Sequence, residues 1–263
     1  MVEVPIQIAI ITVTFNDSAN LKLTLDSVRK YKKHYHRYFV IDGNSTDGTK
    51  EIITQNSDII DSAISEKDSG IYDAMNKAIR FDLPDSTYLL WLNAGDLLTD
   101  WEGIEIAEIT NYNCAFFAVE TVLEKNNKKQ IVAPKILAPY NEKNFFPKTM
   151  FMHQGFLVRV STFRRYMYET KIGLQAENLL MSTCIMREPC FWSNSVIAVY
   201  DLNGVSSKDF SRVLQSYLAV ARKLEFNQPK LLFFQWQFLL KTGIKILIPF
   251  EVFNFIRKIK AKI

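Results

Sequence analysis

Three short apolar runs near the start of the chain each break off into a polar or acidic cluster. Residues 8–13 run into Thr14-Phe15-Asn16-Asp17, residues 38–41 into Asp42-Gly43-Asn44-Ser45-Thr46-Asp47-Gly48, and residues 88–92 into Asn93-Ala94-Gly95-Asp96. Apolar runs this short, rich in Val, Ile and aromatics and closed by turn residues, predict buried strands. The segments between them carry helical spacing. Leu21, Leu25 and Val28 fall on one face, and Asp47-Gly48-Thr49 starts a second helix that carries Ile52 and Ile53. After Gly70, the residues Ile71, Ala74, Met75, Ala78 and Ile79 share one side of a third helix. Residues 59–64 are a further strand. This alternation predicts an α/β fold with a parallel sheet and crossover helices. Ligands of open parallel sheets bind at the carboxyl ends of the strands, so the three clusters are expected to face one crevice. Their amides and carboxylates suit a nucleotide base, a ribose and a divalent metal.

Beyond Asp96 the alternation weakens. Residues 115–123 and 130–137 read as strands around a Lys- and Asn-rich turn, and residues 155–160 and 195–200 as two more. Residues 174–186 form a helical pattern with Leu180, Met181 and Ile185 inward and Glu177 near its start. Residues 209–224 read as a last helix. No internal repeat is present.

Composition narrows the class. A chain of 263 residues can build one sizeable core, or a domain with an appended element. With 48% apolar and 13% aromatic residues, disorder is excluded. No run of 18 residues lacks a charge, so no ordinary membrane-spanning helix is expected. The opening residues lack the basic-then-apolar pattern of a secretory leader. Cys114, Cys184 and Cys190 are odd in number and lack metal-ligand spacing, which points to reduced thiols and a cytoplasmic protein.

Charge is unevenly spread. Residues 228–263 hold seven Lys/Arg and one acid, Glu251, interleaved with Phe, Leu and Ile; the preceding residues carry a net −2. Such a segment suits an interfacial amphipathic element on an anionic membrane. The alternative is a helix packed on the body or on a partner subunit. The acidic body offers no basic patch, so nucleic acid is not an expected partner.

Four ordered strings carry a resemblance. They are residues 10–16 (Ile-Ile-Thr-Val-Thr-Phe-Asn), 40–49 (Val-Ile-Asp-Gly-Asn-Ser-Thr-Asp-Gly-Thr), 65–77 (Ser-Glu-Lys-Asp-Ser-Gly-Ile-Tyr-Asp-Ala-Met-Asn-Lys) and 92–96 (Leu-Asn-Ala-Gly-Asp). With them the chain resembles family 2 glycosyltransferases of the GT-A fold, in the branch that builds bacterial polysaccharides. A weaker match runs through His153-Gln154 to about residue 206. The resemblance implies a Rossmann-like mixed sheet flanked by helices. The GT-A domain would cover residues 1–208, with a nucleotide-binding half at 1–100 and an acceptor-side half at 101–208. Residues 209–263 would be a helical extension.

The resemblance also implies roles. Thr14, Phe15 and Asn16 would cradle the nucleotide, with Phe15 lining the base. Asp42, with Asn44 in the same loop, would recognise the uracil or ribose edge. Where the family usually has a second acid beside Asp42, this chain has Gly43. Asp68, Gly70, Tyr72 and Asn76 would contact nucleotide and donor sugar, with Tyr72 and Asn76 on a helix face away from the apolar stripe. Asp47 with Gly48 would be a turn or a helix cap. Asn93 and Asp96 fall where the family's acidic motif binds Mn²⁺ or Mg²⁺ on the donor diphosphate. Glu177 is the candidate catalytic base, in a motif whose second acid is here Leu179. His153 stands beside the acceptor site.

The resulting expectation is an inverting, metal-dependent transferase. It would move sugar from a nucleotide-diphosphate donor, UDP-linked by preference, to a glycan or lipid-linked hydroxyl. Its setting would be capsule, O-antigen or other polysaccharide assembly, peripherally on the inner face of the plasma membrane. The main alternative is a non-catalytic protein that binds nucleotide sugars or serves as a scaffold with this fold. A nicotinamide-dependent dehydrogenase is disfavoured, because no G-x-G-x-x-G follows the first strand.

Overall fold

A computed structural model describes residues 6–104, 106–123, 128–134, 152–201, 215–216, 219–220 and 222–224. The chain divides into two compact units, Met1–Val220 and Ala221–Ile263. The basic, apolar segment at 228–263 and most of the helix expected at 209–224 lie outside the described residues, as do residues 135–137 of the expected second hairpin strand.

The three apolar runs form the centre of the sheet. Strands β1 (Ile8–Thr14), β2 (Arg37–Asp42) and β4 (Tyr88–Trp91) are parallel, with β1 between the other two. Strand β3 (Ser62–Ser65) adds to β2 at the edge. It begins later than the apolar pattern implied, because Ile59 and Ile60 are buried in the turn that precedes it. Alternate side chains of the central strands point to opposite faces. Ile8, Ile10, Tyr38, Val40 and Leu90 pack with Leu21, Leu25 and Val28 of helix α1 (Ser18–Lys30) and Ile52 of α2 (Thr49–Gln55). Burying an aliphatic side chain of this size is worth about 1.5–3 kcal/mol, which makes that layer the main apolar anchor of the first half of the chain. On the other face Phe39 stacks on Phe81, and Trp91 meets Phe163 and Tyr168.

The third helix is shorter than its periodicity. Helix α3 spans Ile71–Asn76 and tightens into a 3-10 turn over Lys77–Arg80. Ala74, Met75 and Ala78 are buried, but Ile71 is exposed at the first turn.

The second half is antiparallel and mixed. Among the described residues nine strands form one sheet, in the order β3-β2-β1-β4-β8-β6-β9-β5 with β7 on β6. Strand β8 (Phe156–Arg159) runs antiparallel to β4, and helix α4 (Val160–Tyr166) follows it directly. The long pair β6 (Cys114–Leu123) and β9 (Cys190–Asp201) is parallel, while β7 (Lys128–Val132) forms a hairpin with β6. The short β5 (Leu97–Leu98) pairs with β9. Helix α5 (Ala176–Arg187) buries Leu180, Met181 and Cys184, whereas Ile185, expected inward, is only half-buried. No helix among the described residues is long and apolar enough to cross a membrane.

Candidate functional site

Sheet register brings the first two polar clusters together. Thr14 is the partner of Asp42 across β1 and β2, and Asp42 is the partner of Ser65 across β2 and β3. The carboxylate of Asp42 is fully buried and accepts hydrogen bonds from the Ser45 amide, the Ser45 hydroxyl and the Ser65 hydroxyl. It therefore shapes the 43–46 loop from beneath, a use that sequence reasoning missed. Asn16 adopts a positive φ of 47° and latches the same loop, its amide donating to Ser45 Oγ at 2.7 Å and its Oδ1 accepting from the Thr46 amide at 2.8 Å. Asn44, also at positive φ, accepts from Lys50 Nζ. Asp47 serves both helices of this edge: it accepts from the Ser18 amide at the start of α1 and from Thr49 at the start of α2. Those bonds pull its carboxyl down to about 2.

Above that loop three sequence-distant motifs meet at a missing side chain. A Cβ at Gly43 would lie 2.8 Å from Asp68 Oδ2 and 3.0 Å from the ring of Phe15. Phe15 is 62% exposed, a large aromatic left uncovered at the strand end. Asp68 also accepts from the Gly70 amide, and Gly70, at φ 133°, uses backbone freedom that other residues lack. Thr14 Oγ1 is buried here without a partner among the described residues.

The acidic end of β4 meets the second half of the chain through one turn. Leu90 pairs with Leu157 in the antiparallel β4–β8 register, and continuing it places Gln154 opposite Asn93. The 3-10 turn His153–Gly155 is thereby set against the 93–96 cluster. A Cβ at Gly155 would come within 2.4 Å of the Phe117 carbonyl, so only glycine lets the turn lie this close to β6. Asp96 is buried, and its Oδ2 accepts from the Asn93 amide at 2.9 Å and from Gln154 Nε2 at 3.0 Å. Burial raises its carboxyl to about 6, against the pull of His153 and of these two bonds. His153 Nδ1 lies 2.7 Å from Glu177 Oε2 in the first turn of α5, and its Nε2 lies 3.1 Å from Asn93 Nδ2. Burial alone would lower the imidazole, but Glu177 and Asp96 outweigh it and the net shift is upward. Asn93, Asp96, His153 and Glu177 thus form one connected group, joined by Gln154, whose part the sequence signalled only by its place next to His153.

Tyr72 and Asn76, both on α3, bond to the second half of the chain. The Tyr72 hydroxyl donates to the Leu174 carbonyl at 3.0 Å, and Asn76 exchanges two bonds with the Tyr168 backbone, at 2.8 and 2.9 Å. The Leu174 amide in turn donates to Ser216 Oγ. The pair ties α3 to the segment that leads into Glu177.

Residues 9–170, more than half of the chain, match the model for "Glycosyl transferase family 2". This chain belongs to that family. Its mixed sheet with flanking helices is the GT-A fold. A "PGL/p-HBAD biosynthesis glycosyltransferase" of Mycobacterium bovis is 35% identical over 97 residues, 34% of this chain and 36% of that protein. The matched stretch is thus about a third of the curated relative's length. Among solved structures, S. aureus TarS 1-349 in complex with UDP-GlcNAc superposes with a TM-score of 0.63 at 13% identity, covering 89% of this chain and 72% of the TarS 1-349 chain. The mannosyltransferase PcManGT from Pyrobaculum calidifontis, in complex with GDP-Man and Mn²⁺, gives 0.59 at 13% identity, covering 98% and 81%.

For a family 2 chain the acidic cluster here is sparse. Among the described residues no group of three or more His, Cys, Asp or Glu is placed to hold a metal. What the cluster does offer is one buried carboxylate, Asp96, and two buried side-chain oxygens, Asn93 Oδ1 and Gln154 Oε1, with no partner among the described residues. Mg²⁺-type ions take oxygen ligands, keep several waters and bind through one or two carboxylates plus substrate phosphates. The donor set fits that pattern, in which waters and substrate phosphates would supply the remaining ligands.

Proposed function

We propose that this chain is an inverting, metal-dependent glycosyltransferase that moves a sugar from a nucleotide-diphosphate donor, UDP-linked by preference, to a hydroxyl of a glycan or lipid-linked acceptor. The observation that carries the reading is the joining of Asp96 and Glu177, from opposite halves of the chain, by the single turn His153–Gly155. One residue type there suits the donor diphosphate and its cation, and the other suits a proton.

Phe15 offers a face for the base, and the Asp68 carboxylate beside it accepts from N–H or hydroxyl donors of the nucleoside. Asp42 and Asn16 hold the 43–46 loop in shape for that contact. Asp96, with the Asn93 and Gln154 oxygens, would hold Mn²⁺ or Mg²⁺. When bound, the cation neutralises charge on the departing nucleoside diphosphate. Glu177 has one oxygen on His153, and its other oxygen has no hydrogen bond among the described residues; its side chain is 24% exposed. It takes the acceptor hydroxyl's proton as that oxygen forms its bond to the anomeric carbon. The bond to the diphosphate breaks in the same displacement, and its electron pair leaves with the nucleotide.

The setting we infer is surface-polysaccharide assembly at the cytoplasmic face of a membrane, with the basic, apolar residues 228–263 as the peripheral contact. Support comes from the composition of that segment and from the family.

Glu177→Gln tests the chemistry. It keeps an acceptor for His153 Nδ1–H but cannot take a proton at neutral pH. We expect UDP binding to persist and sugar transfer, screened over UDP- and GDP-sugars, to fall by roughly 10²–10⁴-fold. A variant within about threefold of the parent, well short of that loss, would move the search for the base to other acids.

A further inference from the structure

We infer that His153 is a positioning residue for Glu177, and that it binds no ligand itself. The inference rests on the reading of Glu177 as the base, and it gives His153, expected beside the acceptor site, a role through Glu177.

Both ring nitrogens are already engaged. A carboxylate only accepts, so the 2.7 Å contact requires a proton on His153 Nδ1, whatever the charge of the ring. At the other end Nε2 meets the Asn93 side-chain amide at 3.1 Å. The ring is 12% exposed, which leaves little surface for a substrate. Its backbone is fixed as well, because the adjoining Gly155 sits against the Phe117 carbonyl and Gln154 is pinned to Asp96.

Asn93 belongs to the donor-side loop, and its backbone amide binds the same Asp96 oxygen that Gln154 does. The path Asp96–Asn93–His153–Glu177 therefore runs from the candidate cation ligand to the candidate base. Without His153 the Glu177 carboxylate, on a first helical turn, has no described side-chain anchor. The ring sets which oxygen of Glu177 faces the acceptor, and where it lies relative to the diphosphate. Misplacing a reacting group by about 1 Å costs roughly 10²-fold in rate.

The test is a double-mutant cycle in the full-length chain, with His153→Ala and Glu177→Gln alone and together. His153→Asn is added because its amide can still donate to Glu177. Turnover is read as nucleoside diphosphate release from a panel of UDP- and GDP-sugars, and binding as calorimetry of UDP with Mn²⁺. We expect His153→Ala to lower kcat by roughly 10²-fold, leave the donor KM and UDP affinity within about threefold, and add nothing in the Glu177→Gln background. His153→Asn should recover part of kcat. The chain has three histidines, so long-range ¹⁵N–¹H spectra resolve the His153 ring. They should show a protonated Nδ1 whose shift moves on Glu177→Gln, a readout that needs no turnover. An unprotonated Nδ1, a full second loss in the Glu177→Gln background, or a UDP affinity that falls as far as kcat would each overturn the inference. If Glu177→Gln alone keeps turnover, the base reading has failed instead, and that is seen before any His153 variant is made.

Discussion

Asp96 is kept ionised at neutral pH against its surroundings, and that has a measurable cost. Its carboxyl lies near 6 in the fold against an ordinary 3.8, with burial as the largest cause. The folded state therefore binds more protons than the unfolded state between about pH 4 and 6, and stability must fall as pH rises through that window. By pH 7 the net cost, with the attraction of His153 already included, is on the order of 2–3 kcal/mol. We expect Asp96→Asn to melt higher than the parent at pH 7 and to lose the slope between about pH 4 and 6. Thermal melts at pH 4.5 and 7 check this, and a variant that melts lower at pH 7 would contradict it. The motif 93–96 was legible in the sequence as a polar strand end. The burial that makes Asp96 expensive was not, because Gln154, which covers the carboxylate, lies far along the chain. The same holds for Asp42, whose sequence position suggested a free acceptor. Register places Ser65 beside it, and Ser45 folds back over it.

At the scale of elements, the first half was readable because each apolar run stands alone between turn residues. The parallel β1, β2 and β4 and helix α1 fall where the periodicity put them. The second half was harder. Strand β8 and helix α4 adjoin without a turn residue, and an apolar segment does not announce where period two becomes 3.6. Strand β9 spans Cys190–Asp201, far longer than the apolar core that signalled it. Glycine 155 is the element-scale residue on which the site depends. We expect Gly155→Ala to destabilise the fold by about 1–3 kcal/mol through the clash with the Phe117 carbonyl. It should also weaken UDP binding, because the turn that holds Gln154 on Asp96 must move. Denaturant melts and calorimetry read both effects, and parental values in both would show that the turn has room to give.

On the scale of the molecule, the sequence divides a mildly acidic body from the strongly basic residues 228–263. Cations near an anionic surface contribute about 1 kcal/mol each and are screened by salt, while buried aromatics add a term that salt does not remove. Full-length protein should float with liposomes containing anionic lipid, lose part of that binding at high salt, and lose it all when the chain stops after Asn227. If the full chain ignores liposomes and the shortened chain unfolds, the segment is a packing element. The residues proposed to bind the donor lie in the first hundred or so positions and on the His153–Gly155 turn, so their chemistry can be tested apart from the segment.

The proposed role of Asp96, helping to hold a divalent cation against a nucleoside diphosphate, can be measured by isothermal titration of UDP into the parent and Asp96→Asn, each with and without Mn²⁺. Mn²⁺ should strengthen UDP binding to the parent at least about tenfold, equivalent to about 1.4 kcal/mol, and change the variant's affinity little. Equal UDP affinity with and without Mn²⁺ in both proteins would contradict it.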